Sequence, residues 1–444
     1  MISTTRRLFK PVDIAPLVVF RILFGFLLFA ETFGAILTGW VQRNLVKPSF
    51  TFSHIGFEWL QPFPGMGMYF YFGLMAVLGI CIMVGFRYRF SLGLFTLLWA
   101  GAYLMQKESY NNHYYLLLLV CLIMLLLPAN GYASVDTRRN PHIKRLSMPY
   151  WCSLLMIVQI SIVYFFATVS KFYPGWINGD FIRIVLSGKT HYPIVGQFFD
   201  KHWFHLFISW TGIFFDGSIV LLLLFRRTRT IALILSLIFH LFNSMVLQIG
   251  IFPFFALSFV LFFYPSDVIR KRFFPKKLPI ISDTPDYFGK DLLKWIVLPY
   301  VLIQLLLPIR HWFIKGDVLW TEEGHRLSWR MMLRQRNGFA QFEVVDVKTG
   351  QTHIYPLSKL DQKQVDFATS KPDGIWQMCQ RIKSEYNQKG KDVKIFVKAR
   401  VSINSGPYLE FIDPKIDMAQ ASWNYFGHAD WILLYDDQGK RISR

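Results

Sequence analysis

Long apolar stretches alternate with short, polar and mostly basic stretches along the first two thirds of the chain. Several apolar stretches approach the roughly 20 residues that an α-helix needs to cross a bilayer. They predict nine transmembrane helices, over Ile14–Thr38, Met68–Phe86, Phe90–Met105, His113–Leu127, Tyr150–Ser170, Phe204–Phe225, Thr230–Gln248, Ile251–Tyr264 and Leu292–Leu307. The third and eighth stretches are short, and a partly re-entrant segment is an alternative for each. The fold class predicted for this part is an all-α helical bundle in a membrane.

Near residue 313 the pattern changes, because charged residues become frequent and the apolar runs shorten. Phe339–Val347 and Lys394–Ile403 alternate apolar and polar residues as β-strands do, and Lys348–Gly350 has the composition of a turn between two strands. We therefore predict two domains, a transmembrane helical domain over residues 1–313 and a β-rich extracytoplasmic domain over residues 314–444.

The basic residues indicate an orientation. With the N-terminus in the cytoplasm, each loop that falls on the cytoplasmic side is rich in Arg and Lys: Arg87–Arg89, Arg138–Arg145, Arg226–Arg229 and Arg270–Lys277. Loops on the opposite side carry less positive charge for their length. This is the distribution that the positive-inside rule describes, and nine spans place the C-terminal domain outside the cytoplasm.

Composition supports a membrane protein over a soluble one. Only 17% of the residues are charged, against about 25% in a typical soluble domain. A net charge of +20 would suggest nucleic acid as the partner of a soluble protein, but the membrane topology accounts for it with no nucleic-acid partner. The four cysteines form neither a metal-type spacing nor a disulfide framework, so we expect no metal site.

Ionisable side chains at membrane depth are costly and mark candidate functional sites. The candidates are Arg21, Glu31, His113, Lys171, Asp216 and His240. Lys171, at the outer end of the fifth span, is either a lysine that reaches the interface or an amine desolvated by aromatic neighbours, whose neutral form would act as a base. Arg21, Glu31 and Asp216 are most simply paired inside the bundle.

Histidines at the start of the fourth span and within the seventh span have two interpretations each. His113 opens the fourth span after Asn111 and Asn112, so this run is either a helix cap or part of a site. The predicted topology puts His113 on the same side of the membrane as Lys171, where the two would share one pocket. His240 and Asn243 lie on one helical face, as an interhelical hydrogen-bonding pair or as part of a site.

The segment after the last span, Trp320–Arg336, combines aromatic and basic residues. It is either a juxtamembrane belt or a lip that holds an acidic peptide over a site in the membrane, since a basic lip would attract acidic side chains.

Taken together, these segments resemble vitamin K-dependent γ-carboxylase. The likeness runs from Val19–Phe26 to near the C-terminus. It is carried by Asn111–Tyr115, Ile162–Lys171 with Trp176, Phe239–Ser244, Ile249–Phe252, Ser328–Trp329 with Met331–Met332, Val401–Asn404, Ile412–Asp417 and Ala421–Trp423. Their order and spacing across nearly the whole chain carry the resemblance.

The resemblance implies an activity and a set of roles. Vitamin K hydroquinone, as reduced phylloquinone or menaquinone, is oxidised by O₂ to the epoxide, and CO₂ is added to the γ-carbon of a peptide glutamate. The implied roles are catalytic for Lys171 and His113, quinone-binding for Asn112, His240 and Asn243, and glutamate-binding for Trp320, Trp329 and Arg336. The implied partners are a glutamate-containing peptide or protein, membrane lipid and a lipid-soluble quinone.

Some features depart from the animal members of that family. Their long C-terminal extension is absent, as is the cysteine with which the first outer loop would form their disulfide to the tail. At the lip, His325 replaces an aromatic residue and Arg334 a histidine. With no Asn-x-Ser/Thr glycosylation site either, a bacterial homologue in an inner membrane is expected, or one in the endoplasmic reticulum membrane if the protein is eukaryotic.

Two other functions are compatible with the sequence. A family relative that epoxidises a quinone would lack peptide carboxylation. A membrane transport protein would use the polar residues of the bundle without catalysis.

Overall fold

The computed structural model describes residues 6–280, 284–436 and 438–442. The longer helices are α1 Ala15–Leu37, α2 Gly67–Val84, α3 Tyr88–Met105, α4 Asn112–Leu126, α5 Tyr150–Val169, α6 His202–Leu224, α7 Arg229–Met245, α8 Phe252–Ser258, α9 Ser266–Phe273, α10 Leu298–Ile309, α11 Gln362–Ser370 and α12 Pro372–Gln388. Short helical pieces cover Val135–Arg139, Pro174–Ile177, Asp180–Leu186, Lys290–Leu292 and Val318–Thr321, and single 3₁₀ or π turns cover Gln42–Val46, Lys107–Ser109, Pro141–Ile143, Gly196–Phe198, Phe259–Phe262, Leu293–Val297 and Arg310–Phe313.

Several helices have the length and composition of membrane spans, so the chain is a multi-pass membrane protein. Within the described ranges, five pass that test: Ala15–Leu37, Gly67–Val84, Tyr150–Val169, His202–Leu224 and the composite Lys290–Phe313. The pair Phe252–Phe262 and Ser266–Phe273, bent by 112° at the break between them, is either a sixth, broken span or a re-entrant loop. This pair contains the predicted eighth span, which was expected to be short or re-entrant. The predicted count of nine is not confirmed.

Two of the remaining predicted spans are short helices. At about 1.5 Å per residue, the 15 residues of α4 extend about 22 Å, which is less than the roughly 30 Å of a bilayer's hydrocarbon core. The 17 residues of α7 extend about 25 Å. The first residues of α4 and the last turns of α7 line the cavity described below.

Small residues let the first two helices pack closely. A Cβ atom at Gly25 would lie 2.3 Å from the backbone nitrogen of Met83, and one at Gly79 would lie 2.7 Å from that of Phe29. Close backbone approach at small residues is the usual way in which membrane helices associate. Substituting either glycine would therefore push α1 and α2 apart.

Arg21, fully buried in α1, is bound by backbone carbonyls. Its guanidinium donates to the carbonyl oxygens of Ala129 at 2.9 Å, Tyr132 at 3.1 Å and Ala133 at 2.7 Å. These carbonyls follow the end of α4. The arginine thus links α1 to the segment after α4. This structural role explains why a charged side chain lies inside the bundle.

The C-terminal region contains a four-stranded antiparallel sheet in the order β4-β3-β5-β6, with β3 Arg336–Asp346, β4 Thr352–Ile354, β5 Val393–Ile403 and β6 Leu409–Glu410. A second, two-stranded sheet pairs β1 Pro11–Asp13 with β2 Ser147–Pro149 in the N-terminal part. β3 and β5 pair over eleven residues, and the turn at Lys348–Gly350 joins β3 to β4, as the alternating pattern predicts.

Two helices cover one face of the larger sheet. The buried side chains of β5, such as Ile395 and Val397, pack against Ile375 and Met378 of α12. Asp361 and Gln364 form a capping box at the start of α11. The C-terminal region therefore combines a small sheet with helices, and the sequence pattern did not predict α11 and α12.

The loop between α1 and α2 is part of the C-terminal core. Phe50 and Phe52 lie in the same buried cluster as Phe367 of α11. The Gln364 amide donates to the carbonyl oxygen of Phe50 at 2.7 Å, and the Gln377 amide to that of Ser53 at 2.8 Å. The membrane bundle and the C-terminal region are thus joined by a loop that packs into both.

Candidate active site

A cavity of about 370 Å³ lies between the helices of the bundle and the segment that follows α10. Ligand sites in proteins commonly have volumes of about 300 to 1,000 Å³. Its bundle side is formed by Asn112, His113, Tyr164, Lys171, Trp176, Asp216, Phe239, His240, Asn243, Ile249 and Phe252, and its other side by Lys107, Glu108, Glu322, His325, Arg326, Arg330, Arg334 and Lys371, among others. One wall is therefore mainly aromatic and apolar, and the other is mainly basic.

Lys171 lies just beyond the end of α5 and points into this cavity. Its backbone N–H still bonds the Thr168 carbonyl at 3.0 Å, and Pro174 then prevents the helix from continuing. The ammonium donates to Oδ2 of Asp216 on α6 and lies 3.4 Å from the Ala167 carbonyl oxygen. Its side chain is 9% exposed, so the sequence-based alternative of a lysine reaching the interface does not describe it.

Trp176 forms the aromatic side of the lysine environment. The Lys171 nitrogen is 5.3 Å from the centroid of the indole ring, within the range of a cation–π contact. The indole N–H donates to the Ser209 carbonyl at 3.0 Å. A Cβ at Gly212 would lie 3.3 Å from this indole. The absence of a side chain at this glycine therefore provides space for the indole ring.

His113 and His240 flank one aromatic ring. The ring of Phe252 lies 5.8 Å from the His113 imidazole and 6.2 Å from the His240 imidazole, measured between centroids. Nε2 of His240 is 3.0 Å from the Tyr164 hydroxyl. Nδ1 of His240 is buried and has no hydrogen-bond partner among the described residues. A ligand with hydroxyl or carbonyl oxygens could satisfy it.

The two asparagines before His113 make different hydrogen bonds. Asn111 caps α4 by accepting from the Tyr114 N–H at 2.8 Å. Asn112 donates to the Arg330 carbonyl at 3.0 Å and accepts from the Tyr110 hydroxyl at 3.0 Å. Asn112 lines the cavity, and its amide also ties α4 to the basic wall. Asn243 lines the cavity as well, one turn beyond His240.

The basic wall is built from shared ion pairs. Lys107 and Arg326 both bind the fully buried carboxylate of Asp373, at 2.6 and 2.7 Å. Arg334 and Lys371 both bind Glu322. Each carboxylate thus serves two cations, which leaves the wall with more positive than negative charge.

The pKa values of titratable groups in this wall reflect its surplus of positive charge. Burial, and then repulsion by Arg334 and Arg336, hold the pKa of Lys371 well below its usual value. Burial acts to raise the pKa of Asp373, but Arg326 and Lys107 outweigh it and hold the pKa well below the usual range. Both directions are those expected where the local potential favours anions.

The segment of the wall itself has an unusual backbone. Glu322, Leu327, Trp329 and Met332 all have positive φ, from 48° to 61°, a region that non-glycine residues rarely adopt. Such residues persist where the surrounding structure holds them, and they cluster at functional sites.

Three predicted substrate-binding residues lie outside the cavity. Trp320 is buried in the C-terminal core and donates to the Leu433 carbonyl at 2.6 Å. Trp329 is fully buried and stacks on Tyr115 at 5.1 Å. The Arg336 guanidinium donates to backbone carbonyls, at 2.6 Å to Trp320.

Other cavity residues were not predicted as part of a site. Asp216 was expected to be a buried partner, and its partner is Lys171. Arg326 and Arg330 belong to the predicted lip Trp320–Arg336 but had no individual role, and Glu108 and Lys371 had no role assigned. The fold alone brings these four residues together. Among the residues that the structure describes, no group of three or more His, Cys, Asp or Glu side chains is arranged to hold a metal ion.

Two family models match the chain. Residues 9–267 match the HTTM domain, over more than half of the chain, and residues 289–438 match the lumenal domain of vitamin K-dependent gamma-carboxylase. By the first match the chain is an HTTM-domain protein. The two matches in tandem make it a member of the vitamin K-dependent γ-carboxylase family. No solved structure matches it.

Proposed function

We propose that this protein is a vitamin K-dependent γ-glutamyl carboxylase, which oxidises vitamin K hydroquinone to the epoxide with O₂ and adds CO₂ to the γ-carbon of a peptide glutamate. The observation that carries the proposal is the Lys171–Asp216 pair, buried in a cavity with an aromatic wall on one side and a basic wall on the other. Family membership supplies the reaction class, and the cavity supplies a place for a quinone and an acidic side chain to meet.

The bundle side of the cavity suits a hydroquinone ring. Trp176, Phe239 and Phe252 offer aromatic surfaces, and the unpaired Nδ1 of His240 offers a hydrogen-bonding atom. His113, Asn112, His240 and Asn243 would hold the ring beside Lys171. When bound, vitamin K hydroquinone supplies, through its oxidation to the epoxide, the strong base that removes the γ-proton of glutamate.

Lys171 would begin the reaction by accepting a hydroxyl proton. For this the Lys171–Asp216 ion pair must first lose one proton, which leaves a neutral amine beside the Asp216 carboxylate. Taking up the hydroxyl proton restores the ammonium–carboxylate ion pair, and Asp216 stabilises the cation formed. The role resembles that of the aspartate that supports a catalytic base in a triad.

The basic wall suits the peptide. Glutamate is an anion, and its carboxylated product carries a further negative charge, so a wall with surplus cations attracts the first and tolerates the second. The surrounding bundle and C-terminal region exclude water, which would otherwise quench the glutamate carbanion before CO₂ reacts.

A second, apolar groove lies next to the cavity. It has a volume of about 860 Å³ and is lined by helices α1, α7, α8 and α9. Ile249 and Phe252 line the cavity, whereas Gly250 and Ile251 between them line the groove. The groove would accept the isoprenoid chain of a quinone that enters from the bilayer.

We further propose the domain division at residues 313 and 314, a cytoplasmic N-terminus, and the cavity and C-terminal domain on the opposite side. The bacterial inner membrane is the proposed location. The positive loops and the absence of glycosylation sites support these assignments.

The test is reconstitution of the purified protein with reduced vitamin K, labelled bicarbonate and a short glutamate peptide, with both epoxide and peptide-bound label measured. We expect both products from the wild type and neither from Lys171→Ala. Lys171→Arg should be equally inactive, because a guanidinium does not give up its proton. Lys201→Ala, at an exposed lysine before α6, is the matched control and should retain activity.

The outcomes separate the three candidate functions. Epoxide without label would identify a quinone-epoxidising relative. Neither product from folded wild-type protein would remove the enzymatic proposal, and solute flux that Lys171→Ala preserves would then indicate a transport protein.

A further inference from the structure

Arg330 differs from the other basic residues of the cavity. It is nine-tenths buried, and it lines the same cavity as the cations of the two shared ion pairs of the basic wall. Within the described ranges, its guanidinium has no carboxylate at ion-pair distance, and its Nε has no hydrogen-bond partner. Lys107, Arg326, Arg334 and Lys371 all have such a carboxylate.

Among the described residues, Arg330 makes one side-chain hydrogen bond, to His311, which positions the guanidinium without neutralising its charge. The Arg330 Nη1 lies 3.4 Å from Nε2 of His311, whose Nδ1 lies 2.7 Å from the Pro308 carbonyl oxygen. A carbonyl can only accept, so Nδ1 carries the hydrogen and Nε2 of the neutral ring accepts from Arg330. Within the part of the chain that the structure describes, no hydrogen bond occupies the edge of the guanidinium formed by Nε and Nη2.

A buried guanidinium with a free edge is a recognition group for a carboxylate. Leaving a buried charge without a counter-ion is costly, and arginine cannot relieve that cost by losing its proton. Two parallel N–H groups bind a carboxylate in a bidentate arrangement. The backbone around Arg330 is also fixed, because Asn112 bonds its carbonyl at 3.0 Å. This bond sets Arg330 at a constant place relative to His113, the next residue of α4.

We infer that Arg330 binds the side-chain carboxylate of the glutamate that is modified, which makes it the residue that selects an acidic side chain over a neutral one. This assignment rests on the proposed function and names the contact through which that function recognises its substrate. A guanidinium on the carboxylate also serves the chemistry, because it offsets the negative charge that would oppose formation of a second negative charge at the adjacent γ-carbon.

The experiment measures binding separately from turnover. Two fluorescent pentapeptides with blocked termini, identical except for a central Glu or Gln, are titrated with the purified full-length protein. We expect the wild type to prefer the Glu peptide at least tenfold. Arg330→Gln should lose that preference through weaker binding of the Glu peptide, with the Gln peptide little affected. Arg330→Lys keeps the positive charge but lacks the two parallel N–H groups, so its preference for the Glu peptide should be intermediate.

Arg400→Gln, at an exposed arginine of β5, is the matched control and should bind as the wild type does. The inference is overturned if the wild type binds both peptides equally, or if Arg330→Gln keeps the preference. Should Arg330→Gln not fold, Arg330→Lys with an undiminished preference overturns it too. A preference that depends on Arg330, in a protein that carboxylates nothing, would support the inference while the carboxylase proposal fails.

Discussion

Lys171 and Asp216 form a buried ion pair between the end of α5 and the middle of α6, although 45 positions separate them in the chain. Desolvation by aromatic neighbours was one of two interpretations of Lys171 from the sequence, and Trp176 does lie against the lysine. The carboxylate changes the chemistry expected of the amine, because desolvation disfavours the ammonium whereas an adjacent anion favours it. We therefore treat the pair, and not the lysine alone, as the proton-accepting unit.

Asp216→Asn tests that view. The amide keeps the size of the side chain but cannot stabilise a newly formed ammonium, so epoxide formation should fall by about 10²-fold or more. Asp267→Asn is the control, since it removes an exposed carboxylate bound to Arg270 and Lys271. Such surface pairs contribute about 1 kcal/mol or less, and activity should not change. A fully active Asp216→Asn protein would show that the lysine works without its partner.

His113→Gln tests the imidazole that lies beside Phe252. We expect the kcat for epoxide formation to drop by about 10²-fold, the lower end of what a positioned acid–base or charge-stabilising group contributes. The matched variant is His205→Gln, because His205 is a buried histidine that lies outside the cavity, with Nε2 2.6 Å from the Phe199 carbonyl oxygen. It should lower Tm and leave kcat near the wild-type value. Equal effects on kcat would remove the special role of His113.

Glu108 should make peptide binding depend on pH. Burial raises the pKa of this cavity residue to about 7, although Lys363 acts to lower it. As pH rises from 6 to 8, the carboxyl ionises and places a negative charge beside the peptide site, so the KM for the Glu peptide should rise several-fold. Burial also lowers the pKa of Lys107 to about 8, and its loss of charge at higher pH acts in the same direction.

Glu108→Gln should flatten this dependence between pH 6 and 7.5, whereas Glu58→Gln, at an exposed carboxylate, should not. The raised pKa also has a consequence for stability. Between about pH 4.3, the ordinary pKa of a glutamate, and pH 7, the folded state holds this proton and the unfolded state does not. The free energy of unfolding therefore falls as pH rises through that interval, and it should fall less in Glu108→Gln. An unchanged KM profile in Glu108→Gln would refute the assignment.

Arg336→Gln separates substrate binding from structure at the C-terminal lip. The guanidinium bonds the carbonyls of Leu319, Trp320 and Ser370, so its loss leaves buried acceptors unpaired, each costing about 1–3 kcal/mol. We expect a clearly lower Tm, with the KM for the Glu peptide in the surviving folded protein changed less than threefold. A raised KM at unchanged Tm would instead support the substrate-binding role implied by family resemblance.

Sequence patterns identified which segments are helices and which residues to examine. The apolar runs end within a few residues of the ends of α1, α5 and α6. This agreement is expected because the thickness of the bilayer sets how many apolar residues a spanning helix needs. His113 and Lys171 were expected to share a pocket from topology alone, and both do line one cavity.

The sequence pattern did not predict which residues of different helices contact each other. Which residue of α6 meets Lys171 depends on the rotation of two helices about their axes, which packing decides. The basic wall combines Lys107 from one loop, Arg330 from another and Lys371 from the start of α12, so no window of sequence contains it. The helices α11 and α12 were missed because their apolar stripes are short and interrupted by polar residues.

The junction of Phe50 and Phe52 with α11 bears on where this protein can operate. It joins the loop between α1 and α2 to the C-terminal region through buried aromatic rings and amide hydrogen bonds, and the four cysteines are all free thiols. A junction made in this way holds at any thiol–disulfide potential. Dithiothreitol should therefore leave the enzyme's assembly intact, and the same architecture can persist on a face of the membrane where sulfur bridges would be reduced.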